Sequence, residues 1–353
     1  VSYGTDFGTP NFTIPDSIGS TLNNNLFHSF NNFSINAGES ATFTGPGSIN
    51  NVITRVTGGD ISTLNGPLIS SIPTANFYFM NPNGIIFKEG ATISVDGSFY
   101  ATTSNYIRFG QDGYFYADLT APPLTTSPPS AFGFLDSNPG QIALEGTLLL
   151  KDFPSYPMTL PDGASFSLIA GNITLDQSST GTPNPLGVPN TFISMTGNSF
   201  ELVSVASAGE AVIDSGSYDL SSFDTLGNVT LTGGSAVDAT NVYIRSGTVV
   251  IDEAVIAPGF FYLAGLAPPQ QSGSIDIVAR DIVSIRCKSN FPINRPYGVD
   301  FISGLSTIVG FPLEVAPDIF GSSINISAPN FSVSGSAAVV IERFGPGESA
   351  DIN

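Results

Sequence analysis

The feature that most restricts the fold of this chain is a run of short strand segments and tight turns at residues 76–99, NFYFMNPNGIIFKEGATISVDGSF. Apolar segments of three or four residues alternate with clusters of Asn, Pro, Asp and Gly. Pro82 fixes φ after Asn81, and Gly84 closes the turn at a position that favours glycine. Short strands that turn at successive corners do not fit a sandwich of long strands. The pattern predicts an all-β chain in which this stretch is one coil of a β-solenoid.

Four sequence blocks carry a family resemblance: NLFHSF at residues 25–30, NVITRVTGG at 51–59, NPNGI at 81–85 and GSFYATTSNYIRF at 97–109. In this order they resemble the N-terminal secretion (TPS) domain of two-partner-secretion exoproteins, the adhesins of the filamentous-haemagglutinin type. Their spelling is most similar to that of cyanobacterial members. The resemblance covers roughly the first 130 residues. A second motif of the best-known members, NPNL, is absent, so no recognition role of that motif is carried over.

The resemblance implies a right-handed parallel β-helix (β-solenoid) with an N-terminal β cap and extra-helical loops or hairpins. We expect one domain over residues 1–353, with the cap at 1–24, the core coils that carry NPNGI at 25–120, and further coils at 121–353. Proline-rich and irregular segments predict excursions from the stack, because proline cannot donate to a strand ladder. They are expected at about 121–134, 153–163, 179–190, 257–273 and 288–317.

A repeat later in the chain supports the solenoid independently of the resemblance. Alternating apolar residues recur at Val229 and Val249, an interval of about 20 residues. That spacing is what three short strands and three corners need for one coil.

Two sets of residues are candidates for function by resemblance. The transporter-recognition or folding motif comprises Asn81, Pro82, Asn83, Gly84 and Ile85. The secondary motif comprises Asn25, Leu26, Phe27, His28, Ser29, Phe30 and Arg55. NPNGI is either a signal that the transporter reads or a turn that lets the first coils fold, and the sequence favours the folding role slightly. We expect His28 to be a structural side chain with one or two hydrogen bonds, and Arg55 to fix a turn by pairing with a carboxylate or carbonyls.

The resemblance also implies a partner and a location. The unfolded chain would be recognised in the periplasm by the POTRA domains of a dedicated outer-membrane β-barrel transporter, and would then fold outside and nucleate downstream repeats. The parent protein would be a secreted or cell-surface adhesin of a Gram-negative-type bacterium, with a host or neighbour-cell glycan or protein as the target of its C-terminal region. We expect a signal peptide removed before Val1, and a chain that continues beyond its last residue as further coils.

Charge and cysteine content exclude several alternatives. The chain has 10 Lys and Arg against 29 Asp and Glu, a formal net charge of −19, and no basic cluster. Such a field repels nucleic acid, which we therefore exclude as a partner. Cys287 is the single cysteine, so no internal disulfide forms, and we expect it to be a small buried apolar residue.

An enzyme or a glycan-binding module is the alternative class, because parallel β-helices also host carbohydrate-active proteins. Glycoside hydrolysis needs two convergent carboxylates, and the candidates are Asp276 with Asp281, or Asp214 with Asp219 and Asp224. Glycan binding would use exposed aromatic residues, with Tyr114, Tyr116 and Tyr243 as candidates. These acidic residues lie outside any recognised motif, and metal-ligand and phosphate-loop motifs are absent. We therefore predict a protein that is not an enzyme, with no catalytic residues, no cofactor and no metal.

Overall fold

The computed structural model describes residues 11–111, 113–118, 126–151, 157–176, 191–214, 217–256, 258, 273–287, 304–309, 323–343 and 351–352. Strands are the main secondary structure of these residues, together with one short 3-10 helix at Asp16–Ile18. In the described ranges no helix is long and apolar enough to span a membrane.

In chain order the strands are β1 (Asn11–Pro15), β2 (Ser20–Leu22), β3 (Asn25–Phe30), β4 (Ser40–Thr44), β5 (Asn51–Val56), β6 (Ser62–Leu64), β7 (Pro67–Ser70), β8 (Asn76–Met80), β9 (Ile85–Phe87), β10 (Thr92–Ser94), β11 (Phe99–Thr102), β12 (Tyr106–Phe109), β13 (Gly113–Tyr116), β14 (Pro129–Phe134), β15 (Ile142–Glu145), β16 (Leu148–Lys151), β17 (Pro157–Met158), β18 (Ser165–Ala170), β19 (Ile173–Asp176), β20 (Phe192–Ser204), β21 (Gly209–Asp214), β22 (Ser217–Asp219), β23 (Asn228–Leu231), β24 (Ala236–Asp252), β25 (Val255–Ile256), β26 (Ser274–Cys287), β27 (Gly304–Val309), β28 (Ser323–Ser327), β29 (Asn330–Gly335), β30 (Ala338–Arg343) and β31 (Asp351–Ile352).

Most strands belong to three parallel ladders that run along the molecule. The first ladder stacks β3, β5, β8, β11, β18, β20, β24, β26, β28 and β31. The second ladder stacks β6, β9, β15, β19, β23, β24, β26 and β29. The third ladder begins with β1, β4, β7 and β10 and continues through β17, β16, β20, β24, β25, β27 and β30. Because the chain visits the ladders in turn, the fold is the parallel β-helix that the sequence predicts.

The core is built from rows of inward side chains that stack in register from coil to coil. The central inward row of the first ladder is fully buried and consists of Leu26, Val52, Phe77, Phe99, Phe166, Phe200, Val242, Ile275 and Ile324. Alternation along each strand places these residues on one face. Burial of one such side chain contributes about 1.5–3 kcal/mol, so the rows hold the coils together.

A β cap covers the N-terminal end of the first ladder. β2 pairs with β3 in the antiparallel sense, whereas β5 pairs with the other edge of β3 in the parallel sense. The edge of β3 is thereby closed to further strand addition. Gly19 lies against this strand so closely that a Cβ there would be 2.8 Å from the carbonyl oxygen of Phe27.

A second sheet lies outside the solenoid and is the extra-helical element of the fold. It is antiparallel, with the order β13, β12, β14, β21, β22. It packs on the outward face of the first ladder and encloses a second apolar core. Its buried members are Phe27, Ile53, Tyr78, Met80, Ile107, Phe109, Phe115, Ala117, Phe132, Phe134, Ile169, Val203, Val205, Ala211, Tyr218, Leu220 and Phe223. The wall formed by the first ladder is therefore buried on both faces along these coils.

The predicted excursions are only partly described. The end of segment 121–134 forms β14, whose phenylalanines are buried, so this part is a strand of the second sheet and not a surface loop. Strand β17 within 153–163 and β27 within 288–317 pair with strands of the third ladder. In both segments the chain returns to the stack of coils because a short apolar run follows the prolines. Segment 179–190 lies outside the described residues, as does most of 257–273.

Candidate functional site

The NPNGI motif forms the corner that joins β8 in the first ladder to β9 in the second. The backbone N–H of Asn81 donates to the carbonyl of Thr102 at 3.0 Å, and the N–H of Gly84 donates to the carbonyl of Asn81 at 3.1 Å. The side-chain Oδ1 of Asn81 accepts a bond of 3.0 Å from the N–H of Asn83. Asn81 thus sets the turn with both its backbone and its side chain.

The side chains of the motif bind the corner of the preceding coil. Asn81 is 0% exposed, and its Nδ2 donates to the carbonyl of Asp60 at 3.0 Å and to Oγ of Ser62 at 2.9 Å. The Nδ2 of Asn83 donates to the carbonyl of Gly58 at 2.8 Å. Two side chains of the motif therefore donate hydrogen bonds to polar groups of the preceding coil, groups that the backbone of that coil does not reach.

The following coil stacks on the other side of the motif. The N–H of Ile85 donates to the carbonyl of Gln141 at 3.0 Å. Gly84 has a φ of +127°, and a Cβ there would be 3.1 Å from the same carbonyl oxygen. A Cβ on Gly140 would lie 2.3 Å from the carbonyl oxygen of Pro82. The NPNGI corner is therefore packed between the corners of the preceding and the following coil. Glycine is required at positions 84 and 140, because a Cβ there would press against a carbonyl oxygen of the neighbouring corner.

Few atoms of the motif are presented at the surface. Asn81, Gly84 and Ile85 are buried, Pro82 is half-buried, and Asn83 is exposed. A partner that meets the folded chain can therefore reach only Pro82 and Asn83.

The secondary motif opens with an asparagine ladder at another corner. Nδ2 of Asn51 donates to Oδ1 of Asn25 at 2.9 Å, and Nδ2 of Asn76 donates to Oδ1 of Asn51 at 3.3 Å. Nδ2 of Asn25 in turn donates to the carbonyl of Ser127 at 2.8 Å. Asn51 and Asn76 were not among the predicted site residues, although asparagine at the first position of three successive first-ladder strands is a usable signal.

The apolar members of the secondary motif lie in two different cores. Leu26 points into the solenoid. Phe27 points outward into the second core, where its ring centroid lies 5.0 Å from that of Phe115. Phe30 contacts Phe33 at a centroid distance of 5.0 Å. The block NLFHSF is thus a strand with buried side chains on both faces.

His28 is buried inside the first coil, among aromatic side chains. Its ring centroid lies 5.3 Å from that of Phe43 and 6.1 Å from that of Phe30. Its Nε2 has no hydrogen-bond partner among the described residues. The expectation of one or two hydrogen bonds at this side chain stays a prediction. Burial lowers the pKa of His28 to about 4, and the nearby charge of Asp16 opposes this shift. The imidazole is therefore neutral at physiological pH.

Arg55 pairs with carbonyls, as predicted, and through them it joins the solenoid to the second sheet. Its Nε donates to Oγ of Ser29 at 2.8 Å, and its Nη1 donates to the carbonyls of Tyr116 and Asp118, the latter at 2.9 Å. The guanidinium carbon lies 4.4 Å from the centroid of the Phe115 ring, which adds a cation–π contact. Burial lowers the pKa of Arg55 from its ordinary value, and the negative charge of Asp118 opposes this shift.

Among the remaining candidate residues, Asp276 and Cys287 take structural positions, and Tyr114 and Tyr116 belong to one group of side chains. Asp276 accepts a hydrogen bond of 2.6 Å from Arg245, so its carboxylate is engaged in an ion pair. Cys287 is buried, as predicted. Tyr114 and Tyr116 lie together on the second sheet, whereas Tyr243 lies on the first ladder. In the described part of the chain no group of three or more His, Cys, Asp or Glu residues could hold a metal ion.

A buried carboxylate under the second sheet was not predicted. Glu201 accepts hydrogen bonds from Ser165 at 2.8 Å, Ser167 at 2.5 Å and Tyr218 at 3.1 Å. Burial raises the pKa of Glu201, and the three hydroxyl donors oppose this shift. A glutamate in an otherwise apolar strand is the only signal in the sequence for this buried carboxylate. The tyrosine donor, Tyr218, lies in another sheet, so the sequence does not indicate the contact.

Three comparisons with known proteins bear on this chain. The model of the TPS secretion domain matches residues 5–251, which is more than half of the chain. The heme/hemopexin-binding protein of Haemophilus influenzae is 34% identical over 84 residues, which cover 24% of this chain and 9% of that protein. The crystal structure of the HMW1 secretion domain from the same species covers 95% of this chain and 96% of that chain, with 14% identity and a TM-score of 0.36.

The chain spans only a small part of the curated relative, whereas the family model covers most of the three ladders described above. The similarity to cyanobacterial members stays a prediction. TPS secretion domains are structural modules and not enzymes. The chain belongs to the TPS secretion domain family, as the secretion module of a two-partner-secretion exoprotein.

Proposed function

We propose that the unfolded chain is recognised in the periplasm by the POTRA domains of its transporter and folds outside the cell, where its first coils nucleate the downstream repeats. The burial of Asn81 carries this proposal. Because the folded chain encloses Asn81, Gly84 and Ile85, a partner that reads the whole motif must meet it before folding. An extended segment that adds to a sheet edge is a suitable mode of recognition.

Within the folded chain, NPNGI acts as a folding element. Its corner is tied to Asp60 and Ser62 of one neighbouring coil and to Gln141 of the other. Each hydrogen bond contributes about 0.5–1.5 kcal/mol net, and an unpaired buried partner costs about 1–3 kcal/mol. The motif therefore favours the stacked state over single coils, and folding outside the membrane opposes return of the chain into the transporter.

The parent protein is proposed to be an adhesin of the cell surface, with a host or neighbour-cell glycan or protein as the target of its C-terminal region. We also propose the division into a cap at 1–24, core coils at 25–120 and further coils at 121–353.

The experiment is secretion of the chain, with a signal peptide restored, in a Gram-negative host that carries or lacks a candidate transporter encoded next to its gene. The proposal predicts folded chain outside the cell only when that transporter is present. A transporter whose POTRA domains are deleted serves as the control and should leave the chain inside. Secretion without the transporter, or through the truncated one, contradicts the proposal.

A further inference from the structure

Three tyrosines form a cluster on the face of the second sheet that points away from the solenoid. Tyr106 on β12 lies opposite Tyr116 on β13, and Tyr114 lies opposite Arg108. Ile107, which follows Tyr106, and Phe115, which lies between the other two tyrosines, point into the second core. Alternation therefore directs the tyrosines to the solvent side, where all three are half-buried. We call Tyr106, Tyr114 and Tyr116 the tyrosine platform.

The rings of the platform are close enough to form one aromatic surface. The centroid of Tyr106 lies 5.5 Å from that of Tyr114 and 5.1 Å from that of Tyr116. Tyr114 and Tyr116 are 6.0 Å apart and nearly parallel, with an angle of 28° between the ring planes. Tyrosine combines a large apolar ring with a polar hydroxyl, a combination typical of binding surfaces.

Polar groups are fixed beside the platform. A Cβ at Gly133 would be 1.9 Å from the Tyr106 ring, so the ring lies across the bare backbone of β14. From there the Tyr106 hydroxyl donates to Glu210 at 2.9 Å. The Nε of Arg108 lies 3.0 and 3.1 Å from the two carboxylate oxygens of Glu210. The ion pair holds both side chains in place and offsets their charges.

A cavity of about 350 Å³ adjoins the platform at Tyr106 and Glu210. Its other walls include Phe134, Leu135, Asp219 and Ser222, and Leu135 is 58% exposed. Apolar walls with a few fixed polar groups are typical of small-molecule sites. The cavity and the platform therefore form one continuous surface with aromatic, apolar and hydrogen-bonding parts.

We propose that the tyrosine platform and the adjoining cavity bind a neutral oligosaccharide. The apolar faces of sugar rings pack on Tyr114 and Tyr116, and sugar hydroxyls bond to Glu210 and Arg108. The occupant is neutral because the charge of Arg108 is already offset by Glu210, and because the net charge of −19 repels acidic polymers. This binding site is independent of the proposed recognition by the transporter.

The test is titration of the purified folded chain with a panel of neutral hexasaccharides, namely glucans, mannans, galactans and chitin fragments, followed by calorimetry. Hexagalacturonate is the acidic probe. We expect at least one neutral hexasaccharide to bind, and Tyr116→Ala to weaken that binding at least tenfold, about 1.4 kcal/mol. Tyr116→Phe keeps the ring and should retain the affinity. Arg55 uses only the carbonyl of Tyr116, so neither substitution removes that contact.

Tyr243→Ala is the matched control, because Tyr243 is a half-buried tyrosine on a different sheet. It should leave affinity unchanged, and thermal unfolding should verify that each variant is folded. Three outcomes overturn the proposal: no neutral member of the panel binds, hexagalacturonate binds more tightly than all of them, or Tyr243→Ala weakens binding as much as Tyr116→Ala. Secretion through the transporter should be normal for Tyr116→Ala, which separates this site from the proposed secretion function.

Discussion

The Nδ2 of Asn81 lies 2.9 Å from Oγ of Ser62, a residue 19 positions earlier in the chain and one coil away. Both side chains are buried, at 0% and 1% exposure. A residue of the NPNGI turn thus joins two coils by a bond that water does not reach.

Replacement of Asn81 by alanine should destabilise the folded chain. The change removes both Nδ2 hydrogen bonds and leaves the carbonyl of Asp60 and the hydroxyl of Ser62 without this donor. We expect the free energy of unfolding in urea to fall by about 2–4 kcal/mol. Asn65→Ala is the matched control, because Asn65 lies at another corner and accepts one bond of 2.9 Å from the N–H of Gly90. A loss no larger than that of the control would contradict the prediction.

His28 should make the chain less stable in mild acid. Its pKa is about 4 in the folded chain and 6.5 as a free side chain, so between these values the unfolded chain binds the extra proton. The free energy of unfolding therefore falls as pH drops from 6.5 to 4, in total by about 3 kcal/mol. Urea unfolding at several pH values should show this fall in the wild-type chain but not in His28→Phe. The raised pKa of Glu201 acts in the opposite direction in both proteins and cancels in the comparison. Parallel pH curves would contradict the assignment to His28.

Arg55→Met should loosen the second sheet from the solenoid. The variant loses the bonds to the carbonyls of Tyr116 and Asp118, so we expect a loss of about 2–3 kcal/mol and faster hydrogen exchange in β12 and β13. Arg286→Met is the control, because the ion pair of Arg286 with Asp252 involves a side chain that is 46% exposed. It should change stability by less than about 1 kcal/mol. Unchanged exchange in β13 would contradict the role of Arg55.

Gly133→Ala should displace the Tyr106 ring, because the new Cβ would occupy the position of the ring carbons. We expect a loss of about 1–3 kcal/mol from overpacking. Tyr106→Ala removes the obstacle, so the double variant should be more stable than the sum of the two single changes predicts. Additive losses in this double-mutant cycle would show that Gly133 does not accommodate the ring.

Much of the solenoid could be predicted from local patterns. The 20-residue interval between Val229 and Val249 is confirmed, because these residues are direct partners in the second ladder. The turn at Asn81 was predicted from Pro82 and Gly84. These features depend on neighbours in sequence, which is why the sequence reveals them.

The resemblance implied extra-helical hairpins, but the assembly of the second sheet could not be predicted, because its two local hairpins, β12–β13 and β21–β22, are joined through β14 across a long distance in sequence. β14 lies between β12 and β21, which are about 100 residues apart in the chain. Without this sheet Phe27 would be an exposed residue and Arg55 an unpaired cation. The hydrogen-bond partners of Asn81, 19 and 21 residues away, were equally invisible in the sequence.

The most direct test of the central claim compares refolding and secretion of Asn81→Ala with those of Asn65→Ala. The first measurement is the refolding rate of the purified chain after dilution from urea, and the second is the amount secreted through the transporter. If NPNGI is a folding element, Asn81→Ala slows refolding and reduces secretion together, and Asn65→Ala changes both much less. If Asn81→Ala refolds at the wild-type rate and secretion alone is lost, the motif acts as a recognition signal and the proposed folding role is wrong.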